Sequence, residues 1–313
     1  MRRSLLPLVV LLIACSSSSD PAAPSEAGVD AAVDAPPPQV GDVESFAEIE
    51  ATSEGIAFGT RDGAPVLYVG AGDKILRVRP DGTFEKWVDV PGVLGIAARA
   101  DGEMIACGKG EGDVGKSDMP GVLWRIDKAG NKSVLVGPSA TTSFKLTNFV
   151  AIAPDDSLVF SDSAGNKLYR ANADGTGVAL VTDAIVYPNG LAFSRDGKTL
   201  YVASWSGKKV WSLARKADGG YEAPAVAIDG VENVDGLAVG ASGDLYLVCS
   251  GLGVLRAREG KTTVVAPGSK FKLPANGAFG VGAFGDWLYV SNLIGFEVKR
   301  VWVGEAGAPL PAR

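Results

Sequence analysis

The residues in this chain that could do chemistry recur inside one repeated phrase. "EGIAF" starts at Glu54, "LGIAA" at Leu94, "NFVAI" at Asn148, "NGLAF" at Asn189, "DGLAV" at Asp235 and "NGAFG" at Asn276, in steps of 40, 54, 41, 46 and 41 residues. All of the leading residues except Leu94 carry a side-chain oxygen. Brought to one height around an axis, Glu54, Asn148, Asn189 and Asp235 would offer two carboxylates and two amide oxygens. That donor set suits one hard divalent cation, Ca²⁺ ahead of Mn²⁺ or Zn²⁺, because no histidine or cysteine stands in the column. Without a cation the two carboxylates would repel, and desolvation would raise at least one pKa. A single Asn-Gly or Asp-Gly pair is also a common turn signal. Four oxygen-bearing residues in one column are what point to a cation. Asn276 shares the column and is a further candidate for touching a substrate.

The elements that must position these residues are strands. Each phrase reads as a first strand, followed by a polar turn and a second strand such as "TLYVAS". A third strand ("KKVWSLA") and often a fourth ("TTVVAP") follow. Six repeats of four antiparallel strands predict an all-β fold, a six-bladed β-propeller. A two-sheet sandwich would not require a fixed period. In a propeller the first strands line the central channel in one direction, so equivalent positions share a height. The column residues are expected just before each first strand, as a ring at one mouth. A strand within residues 43–50 is expected to close the ring by pairing with the last blade.

The longer 54-residue step places an insertion at residues 108–121, between the second and third strands of blade two. It is expected on the face of the ring, where Asp113, Lys116 or Asp118 could meet a substrate or simply belong to a solvated glycine-rich loop. Asp162, Ser163 and Trp205 end second strands on that same face. Cys107 and Cys249 occupy equivalent strand ends on opposite blades. They are expected to be free buried thiols, because a disulfide needs Cα atoms within about 7 Å.

Composition narrows the chemistry further. The 313 residues include no histidine, which removes His-based triads, dyads and metal sites. The net charge is −6, with no basic stripe, so no nucleic-acid partner is expected. The first residues, "MRRSLLPLVVLLIAC", resemble a bacterial lipoprotein signal with its lipobox. The apolar run is too short to span a bilayer. The resemblance implies removal of residues 1–14, lipidation of Cys15 and a lipid anchor in the cell envelope. Ser16 after the cysteine implies the outer membrane. Residues 15–45, rich in Ser, Ala, Pro and Asp, are expected to form a flexible tether with a span of about 30 Å. The propeller is expected over residues 46–313, as a monomer.

"YPNGLAFSRDGKTLYVAS", at residues 187–204, resembles the signature of the gluconolactonase/senescence-marker-protein family, the regucalcin-like six-bladed propellers. The resemblance covers roughly residues 46–303, as six repeats would. It implies one divalent cation, usually Ca²⁺, held by Glu54 in "SEGIAF", Asn148 in "TNFVAIAPDDSLVFSD", Asn189 in "PNGLAFS" and Asp235 in "VDGLAV". It also implies hydrolysis of a lactone, with Asp235 both ligating the cation and taking a proton from water. Two positions depart from the family pattern. Leu146 stands where sugar-lactone members often carry a substrate-binding Arg, beside Lys145, and Phe149 stands where an Asp is common. Both changes make the rim more apolar, so the small-molecule partner is expected to be a lactone or ester more hydrophobic than gluconolactone. Lys145, Phe149, Asp162 and Trp205 complete the candidate substrate contacts. The alternative reading is a non-catalytic binding propeller that keeps the cation for stability.

Overall fold

A computed structural model describes residues 36–111, 120–139 and 142–309. Cys15 and its signal segment, and Asp113, Lys116 and Asp118 of the blade-two insertion, lie outside the described residues. Pro38–Arg313 form one compact unit. It contains six four-stranded antiparallel sheets, and the described residues include no α-helix.

The first strands of the six blades are Ser53–Arg61, Ile96–Ala98, Thr147–Ile152, Pro188–Phe193, Val234–Val239 and Pro274–Phe279. Blades one to five run outward in chain order, while blade six takes its outermost strand from Val43–Glu48. That strand pairs antiparallel with Glu297–Val301, from Val43 opposite Val301 to Glu48 opposite Glu297. Arg300 reinforces the closure by donating to Glu44 at 2.6 Å. The closing strand begins three residues inside the segment expected as tether, so the folded unit starts before residue 46.

The burial pattern follows strand position. Second strands such as Leu158–Asp162 and Leu245–Cys249 are buried along their whole length, because sheets cover both of their faces. Outermost strands such as Ala225–Asp229 stay largely open to solvent. The apolar core is divided among the interfaces between neighbouring blades. Ala203 and Val210 of blade four pack on Leu237 and Leu247 of blade five. Val159 and Leu168 of blade three pack on Leu191 and Leu200 of blade four. Cys107 and Cys249 are both buried and free, as the strand-end spacing predicts.

The channel strands differ from the expectation in one respect. Glu54, Asn148, Asn189, Asp235 and Asn276 lie inside their first strands rather than before them. In each of these blades the register to the second strand slips at this point, as between Pro188 and Leu191 or Val234 and Gly236. The extra residue of such a bulge leaves the ladder and can turn its side chain toward the axis. The glycines of the repeated phrase serve close approach, not turning. A Cβ on Gly190 would lie 2.4 Å from the Asp235 carbonyl oxygen, and one on Gly236 would lie 2.6 Å from the Asn276 Cα. Only glycine lets neighbouring channel strands come this near.

Candidate metal centre

The bulges place Glu54, Asn148, Asn189 and Asp235 in the wall of one cavity of about 370 Å³ at the channel mouth. The two asparagines and Asp235 are almost wholly buried. Neither Lys nor Arg lines this cavity among the described residues.

Burial pushes the Glu54 carboxyl up to about 8, and the Asp235 charge adds to the rise. Burial likewise pushes Asp235 up to about 7, against hydrogen bonds from Ser250 and Asn189 that favour its ionised form. The Ser250 hydroxyl lies 3.2 Å from Asp235 Oδ2 and 3.1 Å from the Pro274 carbonyl oxygen, so one proton serves two acceptors. The remaining oxygens point to a ligand. Asn148 Oδ1, Asn189 Oδ1 and Asp235 Oδ1 are buried with no hydrogen-bond partner in the protein. Leaving such acceptors bare is costly, and each adjacent carboxylate compounds the cost. A hard divalent cation answers both needs: it satisfies neutral oxygens and neutralises the carboxylates. The described residues contain no cluster of three or more His, Cys, Asp or Glu, so the asparagines are essential members of this donor set.

The carboxylates are felt beyond the ring. Burial raises the Cys107 thiol, with Glu54 as the second cause. Burial pushes the Cys249 thiol up to about 12, with Asp235 as the second cause. Both thiols are therefore protonated at neutral pH and are poor ligands.

The other residues singled out in the sequence scatter. Trp205 lines the cavity at 36% exposure, with its ring 5.9 Å from Tyr187. Asp162 does not face the cavity. Its carboxylate accepts the backbone N–H groups of Lys145 at 3.1 Å, Leu146 at 2.7 Å and Gly165 at 3.2 Å, and so holds the loop that carries Leu146. Lys145 is exposed and stands off the cavity wall. Phe149 packs against the interface between blades three and four. Asn276 is 1% exposed and off the wall, with neither side-chain atom hydrogen-bonded within the protein.

Sequence reasoning missed Tyr187, Asn233, Ser250, Leu273 and Leu293, all of which line the cavity. Tyr187 and Asn233 stand two residues before Asn189 and Asp235, as Leu146 stands two before Asn148. Extending the column by that offset would have found them. Trp205, Ser250 and Leu293 each follow directly on a second strand.

The chain is thus a six-bladed propeller whose channel mouth holds two carboxylates and two asparagine oxygens. The chain belongs to the family described as the SMP-30/gluconolactonase/LRE-like region, whose model matches residues 52–293. No curated protein sequence matches significantly. Solved structures share the fold. A structural-genomics protein provisionally assigned as a gluconolactonase is 22% identical over 87% of this chain and 96% of its own, with a TM-score of 0.71. A gluconolactonase from Xanthomonas campestris is 23% identical over 83% and 88%, with a TM-score of 0.69. A calcium-binding regucalcin from Agrobacterium tumefaciens is 17% identical over 85% and 96%, with a TM-score of 0.66.

Proposed function

We propose that this protein is a divalent-cation-dependent hydrolase that opens a lactone or a closely related ester. The observation that carries the reading is the ring of Glu54, Asn148, Asn189 and Asp235, with three buried oxygens lacking partners in one open cavity. Membership of a family named for gluconolactonase supports the reaction, and the calcium-binding regucalcin supports Ca²⁺ as the ion.

Glu54, Asn148, Asn189 and Asp235 would hold the cation. When bound, it supplies a Lewis acid that polarises an ester carbonyl and lowers the pKa of water. The chain's own residues do the rest. Asp235 is the general base, because its carboxylate lines the cavity beside the other cation ligands, with the Ser250 hydroxyl on Oδ2. It takes a proton as the water oxygen bonds to the carbonyl carbon. The ring C–O bond then breaks, and the proton passes from Asp235 to the departing ring oxygen. The product is a hydroxy acid. No covalent nucleophile is required, and without histidine none is activated by the usual base.

The test is hydrolysis of a lactone panel with Ca²⁺, Mn²⁺ or Zn²⁺, with EDTA, and with Asp235→Asn. Turnover that needs a cation and falls at least about 100-fold in the variant is expected for a general base. Folded, cation-loaded protein that hydrolyses no lactone would reject the hydrolase in favour of a binding propeller.

A further inference from the structure

Above the cation ligands the cavity changes character. Leu146, Tyr187, Trp205, Leu273 and Leu293 form its outer wall, with Leu94 in the ligand column itself, and among the described residues the charged ones lining the cavity are Glu54 and Asp235 alone. Trp205 is 36% and Leu273 39% exposed, although both are large apolar side chains. Polar capacity on this wall is small. The Asn233 amide already donates to the Ser250 carbonyl oxygen at 3.3 Å. What remains for a ligand is the Tyr187 hydroxyl, the Trp205 indole, and the second N–H and the oxygen of the Asn233 amide.

The backbone beneath this wall is unusual. Tyr187 has φ +46°, Asn233 +53° and Leu273 +62°. Left-handed backbone is uncommon outside glycine and is a marked outlier for bulky residues such as Tyr and Leu. Such strain persists where surrounding structure enforces it, and it gathers at ligand sites. Here three of the nine described non-glycine residues with positive φ line the mouth, two of them bulky.

We infer that the mouth is an apolar substituent subsite, and that the substrate is a lactone or ester bearing an alkyl or aryl group rather than a ring hydroxylated at every carbon. The inference rests on the cation-dependent hydrolase reading. An alkyl group extending from a carbonyl at the cation would lie against the leucines and Trp205. Each methylene so buried should improve binding about fourfold. A polyhydroxylated ring would strip water from its hydroxyls against a wall with few partners, at a loss of about fivefold or more for each unpaired hydroxyl.

Binding and turnover test this separately on the full chain saturated with Ca²⁺. Calorimetric titration with 2-pyrrolidinone and its 5-butyl and 5-hexyl derivatives, lactams standing in for lactones, should show affinity rising by about fourfold per methylene. Trp205→Ala and Leu273→Asn should flatten that dependence. Asparagine tolerates a left-handed backbone better than leucine does, so the second variant does not endanger folding. In kcat/KM, γ-octalactone should exceed glucono-δ-lactone by at least about 100-fold, from the methylene and hydroxyl effects together. Affinity independent of chain length, or gluconolactone as the preferred substrate, would overturn the subsite. Chain-length-dependent lactam binding without turnover of any lactone would uphold the subsite and reject the hydrolase.

Discussion

The floor and the rim of the cavity are built on opposite plans. The floor is polar, buried and repetitive. Its side chains hang from bulges at one position of four of the six first strands, and glycines let neighbouring strands approach. The rim is apolar, half-exposed and irregular. Its side chains come from the residues before first strands and after second strands, including two bulky residues held in left-handed backbone. The repeat itself positions the floor. The rim lies outside the repeat's constraint, and it is where the substrate subsite is proposed.

The hardest way to break this comparison is to damage the floor's geometry. Gly236→Ala should cost about 3 kcal/mol of stability, and cation binding with it, since the new Cβ would lie 2.6 Å from Asn276 Cα and 2.7 Å from the Ala275 carbonyl oxygen. Urea unfolding would measure it. An unchanged midpoint would mean the channel strands have slack.

Protons probe the floor next. Glu54 and Asp235 are raised to about 8 and about 7 in the cation-free protein. The unfolded chain ionises both near pH 4, so between pH 4 and about 8 the folded state binds more protons. Stability without cation should therefore fall as pH rises through that window and level off above it. Protons and cation compete for the same oxygens, so Ca²⁺ affinity should rise over the same window. Melting curves with EDTA and with Ca²⁺ should diverge steadily between about pH 5 and about pH 8.5. Curves that stay parallel would contradict the assignment of both carboxylates.

Smaller changes sharpen the boundary. Ser250→Ala removes one hydrogen bond to Asp235, worth about 1 kcal/mol, and should weaken the cation about fivefold. Trp205→Ala should leave Ca²⁺ affinity within about twofold, because the side chain contributes no oxygen to the floor. A large loss of Ca²⁺ in that variant, read by the same titration, would show that floor and rim are coupled.

The same division explains what can be read from the sequence. Six phrases at a near-constant period disclose the propeller, its closing strand and the four floor residues, because repetition forces equivalent residues to equal heights. The bulges escape such a reading, since one unpaired residue leaves no compositional mark, and the column is then placed before the strands instead of within them. Asp162 reads as a substrate contact because its strand end faces the right way. Nothing in the sequence tells that its carboxylate is taken up by the amides of Lys145, Leu146 and Gly165. Tyr187 and Leu273 stay hidden because no local preference predicts a left-handed tyrosine or leucine. Tertiary packing imposes it.

The most direct test of a metal centre at the channel mouth is calorimetric titration of Ca²⁺ into the full chain at about pH 9, where both carboxylates are largely ionised, beside Asp235→Asn. One site per chain is expected in the parent protein, with an affinity reduced on the order of 100-fold in the variant, as loss of one charged ligand requires. Absence of binding in the parent, or equal binding in both, would contradict the assignment.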